Sequence, residues 1–336
     1  MKNLLYIGNQ LHNHGFNKTS IETLGVFLAD EGYNVTYTSD KKNQIIRLLD
    51  MLWTTLFNVR KVDYILIDTY STSSFWYAFF CSQIARVFNI KYIPILHGGD
   101  LPNRLNKNPY LCKLIFKNAF VNAAPSNYLF EKFKAKGFEN IVFIPNSVQL
   151  EEYEFKKRNQ VAPKLLWVRA FATIYNPKMA VEVLKALKEK YPKAILTMVG
   201  PDKDGSLFET KKLAESLHLK VNFTGKLSKK EWTDLAVEHD VFINTTHFDN
   251  TPISIIEAMA LGLPVVSTNV GGIPYMLTNT ENALLVNDNN SDEMVEAIEK
   301  LLNSDELVQK LTSNAKILVN NMDWQLVKLN WKELLD

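Results

Sequence analysis

Short runs rich in Ile, Val, Leu and Tyr alternate along this chain with longer stretches whose apolar residues recur every three or four positions. The short runs, among them "NLLYIGN", "YNVTYTS", "DYILIDTY", "KYIPILHGG", "AFVNAAPS" and "NIVFIPNS", are closed by turn residues and read as β-strands. The intervening stretches read as helices. In "TSIETLGVFLADEG", Thr19 is placed to cap the first turn, Glu22 follows at capping-box spacing, and Gly32 stops the helix. Strand and helix in strict alternation predict a parallel α/β fold.

The alternation breaks at "QLEEYEFKKRNQVAPK", residues 149 to 164, where charge is dense and apolar periodicity vanishes. This segment reads as an interdomain linker. The pattern then resumes through "KLLWVRA", "AILTMVG", "KVNFTG", "VFINTT", "PVVSTN" and "NALLVND". Two Rossmann-like, doubly wound parallel-sheet domains are therefore expected, residues 1–158 and 159–321, facing across a cleft. No strand follows the final helices, so the last one, residues 322–336, is expected to pack back on the first domain. Ligands of open parallel sheets bind beyond the carboxyl ends of the strands, which directs attention to the strand-to-helix loops.

A chain of 336 residues suits two domains, and 46% apolar with 22% charged residues is ordinary for a folded soluble protein. Thirty-eight basic residues against thirty-six acidic ones leave a net charge of +2, too balanced for bulk attraction to nucleic acid. Any anion must be caught locally. The N-terminal apolar run is too short for a signal peptide and no long apolar stretch predicts a membrane span, so a cytoplasmic protein is expected. Cys81 and Cys112, without metal-binding spacing, read as buried reduced thiols.

The densest chemistry lies in "FDNTPISIIEAMALGLPVVSTNVGGIP". Thr251 suits an N-cap, Pro252 suits the first helical position, and Gly262 suits the stop. Unpaired amides at Ile253, Ser254 and Ile255 would carry partial positive charge suited to phosphate oxygens, although the same residues also suit an ordinarily capped helix. Two acids flank that turn. Asp249 precedes the helix and Glu257 lies within it, too far along to share a face, but able to hold opposite ends of an extended ligand. Carboxylates accept paired hydroxyl donors, so the arrangement suggests a sugar nucleotide.

This stretch resembles the signature of retaining glycosyltransferases of family 4, which have the GT-B fold: an acid, seven residues, Glu-Ala-Met-Ala, a Gly-x-Pro-Val-Val strand and a Gly-Gly loop. The resemblance implies that Glu257 binds the nucleotide ribose, Asp249 contacts the transferred sugar, and the amides near Ile253 and Ser254 hold the diphosphate. It extends over nearly the whole chain. "NQLHNHGFNKTSIETL" resembles the family's first loop, with Gly15 allowing close backbone approach. In "LHGGD", His97 matches a histidine beside the donor sugar. Arg169, in "WVRAFATIYNP", matches an arginine against the diphosphate, and Gly225 with Lys226 resembles the turn that receives the base. The implied activity is transfer of a sugar from a UDP- or GDP-sugar to a glycan or lipid-linked hydroxyl, without a cofactor or catalytic metal, in cell-surface polysaccharide or glycolipid synthesis. Its mechanism is same-face attack guided by the leaving phosphate.

Departures from the pattern are informative. The family's clamp lysine is missing. Tyr175 occupies its place, and whether Tyr175 or the nearby Lys178 replaces it stays open. Asp249 replaces the commoner Glu, and Tyr275 stands where many relatives carry Glu. "PDKD", residues 201 to 204, imitates a metal-binding Asp-x-Asp but reads as a solvated loop. The absent lysine keeps open a non-catalytic sugar-nucleotide-binding partner subunit, and the fold keeps open a sugar-nucleotide epimerase, which would need carboxylates poised for proton transfer. Finally, "IIRLLDMLWTTLFNVRK" combines an apolar stripe with arginines at both ends. It reads either as a core-packing helix or as one lying on the inner face of a membrane near a lipid-linked acceptor.

Overall fold

The computed structural model describes every residue except Phe16 and Asn17, which fall in the loop resembling the family's first and lie outside the description. All twelve expected strands form, in two compact units. The first comprises Met1–Asn146 and Trp324–Asp336. Its strands are β1 (Asn3–Ile7), β2 (Asn34–Thr38), β3 (Tyr64–Thr69), β4 (Lys91–Leu96), β5 (Asn122–Ala124) and β6 (Ile141–Phe143), in the parallel order β2-β1-β3-β4-β5-β6. The second comprises Ser147–Asp323. There β7 (Lys164–Val168), β8 (Ile195–Val199), β9 (Asn222–Gly225), β10 (Val241–Asn244), β11 (Val265–Thr268) and β12 (Leu284–Val286) take the parallel order β12-β11-β10-β7-β8-β9. Both faces of each sheet are covered by helices, which is why β1, β3, β10 and β11 read as nearly unbroken apolar runs rather than alternating ones.

Strand order reverses between β1 and β3 in the first sheet and between β7 and β10 in the second. At such a reversal the loops leave in opposite directions and open a crevice beyond the carboxyl ends of the strands. Arg169 follows β7 directly, and the loop carrying Asp249 follows β10.

The units divide between Asn146 and Ser147, earlier than the 158/159 boundary expected from composition. The reason is physical: the charged segment is folded onto the second unit. Tyr153 is buried there. The buried Arg158 guanidinium donates to the carbonyls of Lys156, Ala236, His239 and Leu261 at 2.8–3.2 Å. A lone arginine that satisfies several carbonyls is invisible to a search for apolar periodicity.

The last helix, Trp324–Leu335, belongs to the first unit. Trp324, Val327, Trp331 and Leu335 are buried among Leu4, Tyr6, Ile21 and Leu28, and Glu31 pairs with Lys328 and Lys332 at 2.8 and 2.6 Å. Those two ammonium groups hold the Glu31 carboxyl below its ordinary pKa. A lowered folded pKa means that the stabilisation is complete above the unfolded value, about 4.3, and is lost as pH falls through the folded one. Amides of this helix should therefore show clearly lower protection factors, taken relative to the intrinsic exchange rate at each pH, below about pH 4 than at pH 7. Glu31→Gln should show the lower protection at both, and a pH-dependent protection that survives the substitution would refute the assignment.

Candidate functional site

In the second unit the reactive loops are pinned to one another by hydroxyls. Trp167 Nε1 donates to Thr245 Oγ1 at 3.0 Å, and Thr245 Oγ1 in turn donates to the carbonyls of Tyr175 and Asn176, both at 2.9 Å. Thr268 Oγ1 donates to the Thr246 carbonyl at 2.6 Å, and the His247 amide reaches the Ile174 carbonyl at 2.8 Å. These bonds fix the ends of β7 and β10 relative to each other before any ligand arrives.

The side chains at this reversal converge. The Arg169 guanidinium forms an ion pair with Asp249 and lies 4.5 Å from the centre of the Tyr175 ring. Its Nε is buried without a partner among the described residues. Burial pushes the guanidinium pKa down, an effect opposed by Tyr175, yet arginine starts so high that it stays charged. Tyr175, at the position where the resemblance expects the clamp lysine, lies against the arginine. Lys178 does not substitute for that lysine here, since it points to Glu209 at 3.4 Å on the exposed surface.

The helix that follows begins at Ile253, one position later than expected, with Pro252 rather than Thr251 as its N-cap. Neither residue caps it with a side chain, so Thr251 does not close the turn. The Ile255 amide, expected to be open, donates to the Pro252 carbonyl at 3.1 Å. The Ile253 and Ser254 amides have no acceptor among the described residues. Ser254 is 8% exposed and its Oγ also lacks a partner there. A buried hydroxyl left open like that of Ser254 is costly unless something accepts from it or donates to it.

Glu257 is 7% exposed on the same helix. The Tyr153 hydroxyl donates to its Oε1 at 2.8 Å, and Lys229 contacts both that oxygen and the Tyr153 hydroxyl. Oε2 accepts from no described side chain, leaving one carboxylate oxygen for a further donor. Burial, and after it the Glu257 charge, raises the Tyr153 pKa well above its ordinary value, so the phenol remains a proton donor. The Gly225 carbonyl accepts from the Gly200 amide at 2.9 Å beside Arg169, whereas Lys226 is exposed at the end of β9.

The Gly-Gly loop has a steric reason. A Cβ on Gly272 would lie 2.0 Å from the Asn250 carbonyl oxygen, and the Gly272 amide donates to the Asp249 carbonyl at 2.8 Å. Gly272→Ala should therefore displace the Asp249 loop and destabilise the unit by about 1–3 kcal/mol. Thermal denaturation would read this as a lower Tm, together with a weakened response to nucleoside diphosphates. An unchanged Tm and response would show that the loop is free to move.

In the first unit, His97 follows β4 and its Nε2 lies 2.9 Å from Asp68 Oδ1 on the adjacent β3. Asp68 is fully buried, accepts from the Tyr6 hydroxyl at 3.0 Å, and keeps Oδ2 without a partner among the described residues. A buried carboxylate at Nε2 orients the imidazole and favours the tautomer that leaves Nδ1 as acceptor. Gly15 ends the short turn His12–His14 with φ of +87°, a conformation that favours glycine.

The structure therefore brings together Arg169 and Asp249, and places Ile253, Ser254 and Glu257 along one helix. Gly15 and His97 belong to the other unit. Sequence reasoning missed Asp68, Tyr153 and Lys229. Among the described residues no group of histidine, cysteine and acidic side chains could hold a metal ion, and the Asp-x-Asp mimic is spent on turns: Asp202 and Asp204 accept from Gly205, Thr173 and Ser206.

The family model for glycosyl transferases group 1 matches residues 149–317, just over half of the chain. An uncharacterised glycosyltransferase of Methanocaldococcus jannaschii is 25% identical over 313 residues, spanning 84% of this chain and 78% of that protein. One of Haemophilus influenzae is 26% identical over 213 residues, spanning 61% of this chain and only 57% of its own length. Among solved structures, Anabaena HepE in complex with UDP-glucose superposes with a TM-score of 0.81 at 16% identity, over 100% of this chain and 99% of that one. The sucrose-phosphate synthase of Thermosynechococcus elongatus gives 0.81 at 17%, over 99% and 98%. At such identities these superpositions speak for the fold alone. With its two Rossmann-like units and its matching second half, the chain belongs to the glycosyl transferases group 1 family and has the GT-B fold.

Proposed function

We propose that the protein is a retaining glycosyltransferase that moves a sugar from a UDP- or GDP-sugar to a hydroxyl of a glycan or lipid-linked acceptor. The observation that carries this reading is the group of unanswered donors at the strand-order reversal: the Ile253 and Ser254 amides, Ser254 Oγ and Arg169 Nε. Together they offer a diphosphate both hydrogen bonds and positive charge. As the nucleotide leaves, negative charge grows on its phosphates, and donors already aimed there lower the barrier without reorganising. Arg169 and the helix amides fill this role, so the reading calls for no metal. Glu257 Oε2 accepts a ribose hydroxyl, Asp249 accepts from the transferred sugar once Arg169 turns to the phosphate, and Gly225 with Lys226 borders the base. His97, oriented by Asp68, supplies an imidazole for a sugar or acceptor hydroxyl in the first unit.

Two comparisons support the reading. HepE was crystallised with UDP-glucose, and a Bacillus subtilis relative, 26% identical over 231 residues, is named for teichuronic acid biosynthesis. The same proposal assigns it to cell-surface polysaccharide or glycolipid synthesis in the cytoplasm, with a peripheral site on the inner face of the membrane as its extension. The test is a thermal-shift screen against uridine, guanosine and adenosine diphosphates and their sugars. A ligand at a hundred times its Kd stabilises the folded state by about 2.7 kcal/mol. The donor found this way should then yield free nucleotide and a product with the donor's anomeric configuration. A rearranged sugar nucleotide would identify an epimerase, and binding without turnover a partner subunit.

A further inference from the structure

The helix Gln44–Asn58 in the first unit packs Met51, Leu48 and Leu52 on the core, yet its opposite side is apolar as well. The residues it buries are Arg47, Met51 and Thr55, spaced four apart on one face, and two of the three are polar. Arg47 donates to the carbonyls of Lys41 and Lys42 at 2.7 and 3.1 Å, and Thr55 Oγ1 donates to the Met51 carbonyl at 2.6 Å. The side turned to solvent carries Ile45, Ile46, Leu49, Trp53, Leu56 and Phe57, with Ile45 71% and Trp53 64% exposed. A surface helix of a globular protein normally turns a polar side to solvent. A contiguous apolar face of this kind marks an interaction surface.

The shape and charge of the face select its occupant. A shallow, mostly apolar groove of about 550 Å³ runs between Ile46, Leu49, Leu52, Trp53 and Leu56, with Lys41 and Asp50 at its edge. Lys42 and Lys41, the latter paired with Asp40 at 2.9 Å, flank one end of the helix and Arg60 and Lys61 the other, the Lys61 ammonium lying 5.8 Å from the centre of the Phe57 ring. Asp50 is the one acid within the helix, and it accepts from Thr38 Oγ1 at 3.2 Å. The neighbouring helix Phe75–Val87, which packs against this one, adds exposed Trp76 and Phe80. Apolar and aromatic side chains bounded at both ends by cations fit a layer that is apolar inside and negatively charged at its surface.

We propose that this face docks on an anionic lipid bilayer, with Trp53 and its neighbours seated among the acyl chains and the flanking lysines and arginine at the headgroups. The inference names the surface behind the peripheral location proposed above and rests on that reading. Nucleotide-sugar binding tests the donor site separately.

The test is co-sedimentation with vesicles of phosphatidylcholine alone and of an equimolar mixture with phosphatidylglycerol. The protein is expected to pellet with the mixed vesicles, to stay in solution with the neutral ones, and to be released by salt. Lys42→Glu with Lys61→Glu should weaken partitioning by at least about tenfold, since each basic residue near such a surface contributes roughly fivefold. Leu49→Glu with Trp53→Glu should abolish it. Both pairs lie on the exposed face and should keep the wild-type thermal shift with nucleotide sugar. The proposal is overturned if the wild type stays in the supernatant with both vesicles, or if the variants pellet as it does. It is equally overturned if sedimentation velocity shows a dimer that Leu49→Glu with Trp53→Glu dissociates, because a second copy would then cover the face.

Discussion

Glu257→Ala is expected to reduce kcat/KM by about two to three orders of magnitude, the largest single loss in the second unit. The carboxylate provides charge-assisted acceptors worth about 1.5–3 kcal/mol each, and in the proposed complex it holds the ribose hydroxyls. It is also the hub of a small network: Oε1 takes the Tyr153 hydroxyl and Lys229, which fixes the direction in which Oε2 points. Alanine removes the acceptor and leaves a buried phenol unsatisfied, so Tm should fall as well. Tyr153→Phe separates the two effects. It keeps the carboxylate but removes one bond that aims it, and should cost roughly tenfold in KM for the donor with little change in kcat. A Tyr153→Phe enzyme that loses kcat instead would place the hydroxyl in the chemistry rather than in positioning. Steady-state kinetics on both variants, alongside thermal denaturation, would decide.

The second large effect is expected at Arg169. Arg169→Ala should weaken nucleoside diphosphate binding by a factor of roughly 10 to 150, equivalent to about 1.5–3 kcal/mol, and leave nucleoside binding nearly unchanged. The substitution has a structural cost too, because Asp249 is left without its partner in a largely buried setting. That cost can be isolated. Arg169→Ala combined with Asp249→Ala should recover part of the lost Tm and none of the diphosphate affinity, since the two residues are in contact and their effects are not additive. If affinity returned with stability, the arginine would be a scaffold for the loop rather than a ligand of the phosphates. Isothermal titration with uridine and uridine diphosphate across the wild type and the two variants measures this directly.

The fold was legible because it depends on periodicity, which burial enforces residue by residue: β3 is apolar except at Asp68 and Thr69, and it formed where the run "DYILIDTY" placed it. The acid that interrupts this run was the signal for Asp68, since a carboxylate in a wholly buried strand requires a partner, and His97 is that partner. Arg169, Asp249 and Glu257 were singled out through the resemblance to the family's motif. Their partners were not, because contacts between residues far apart in sequence leave no trace in a local pattern. Lys229 begins a helix whose "SKKE" looks like an ordinary solvated capping box, and it forms one, yet the lysine reaches Glu257. Tyr153 lay hidden in a segment whose charges suggested a linker. The start of the helix at Ile253 was misplaced by one residue because Thr and Pro favour adjacent positions, and Pro252 took the extended conformation of a cap. The exposed apolar side of the helix Gln44–Asn58 could not be assigned from sequence, because an apolar stripe has the same period whether it faces a core or solvent.

The most direct measurement is a crystal structure of the protein with a bound nucleoside diphosphate. The account predicts phosphate oxygens within hydrogen-bonding distance of the Ile253 and Ser254 amides and of Ser254 Oγ, with the Arg169 guanidinium turned from Asp249 to the phosphates and a ribose hydroxyl on Glu257 Oε2. A diphosphate bound elsewhere, with Arg169 still paired to Asp249 and those amides still facing water, would contradict it.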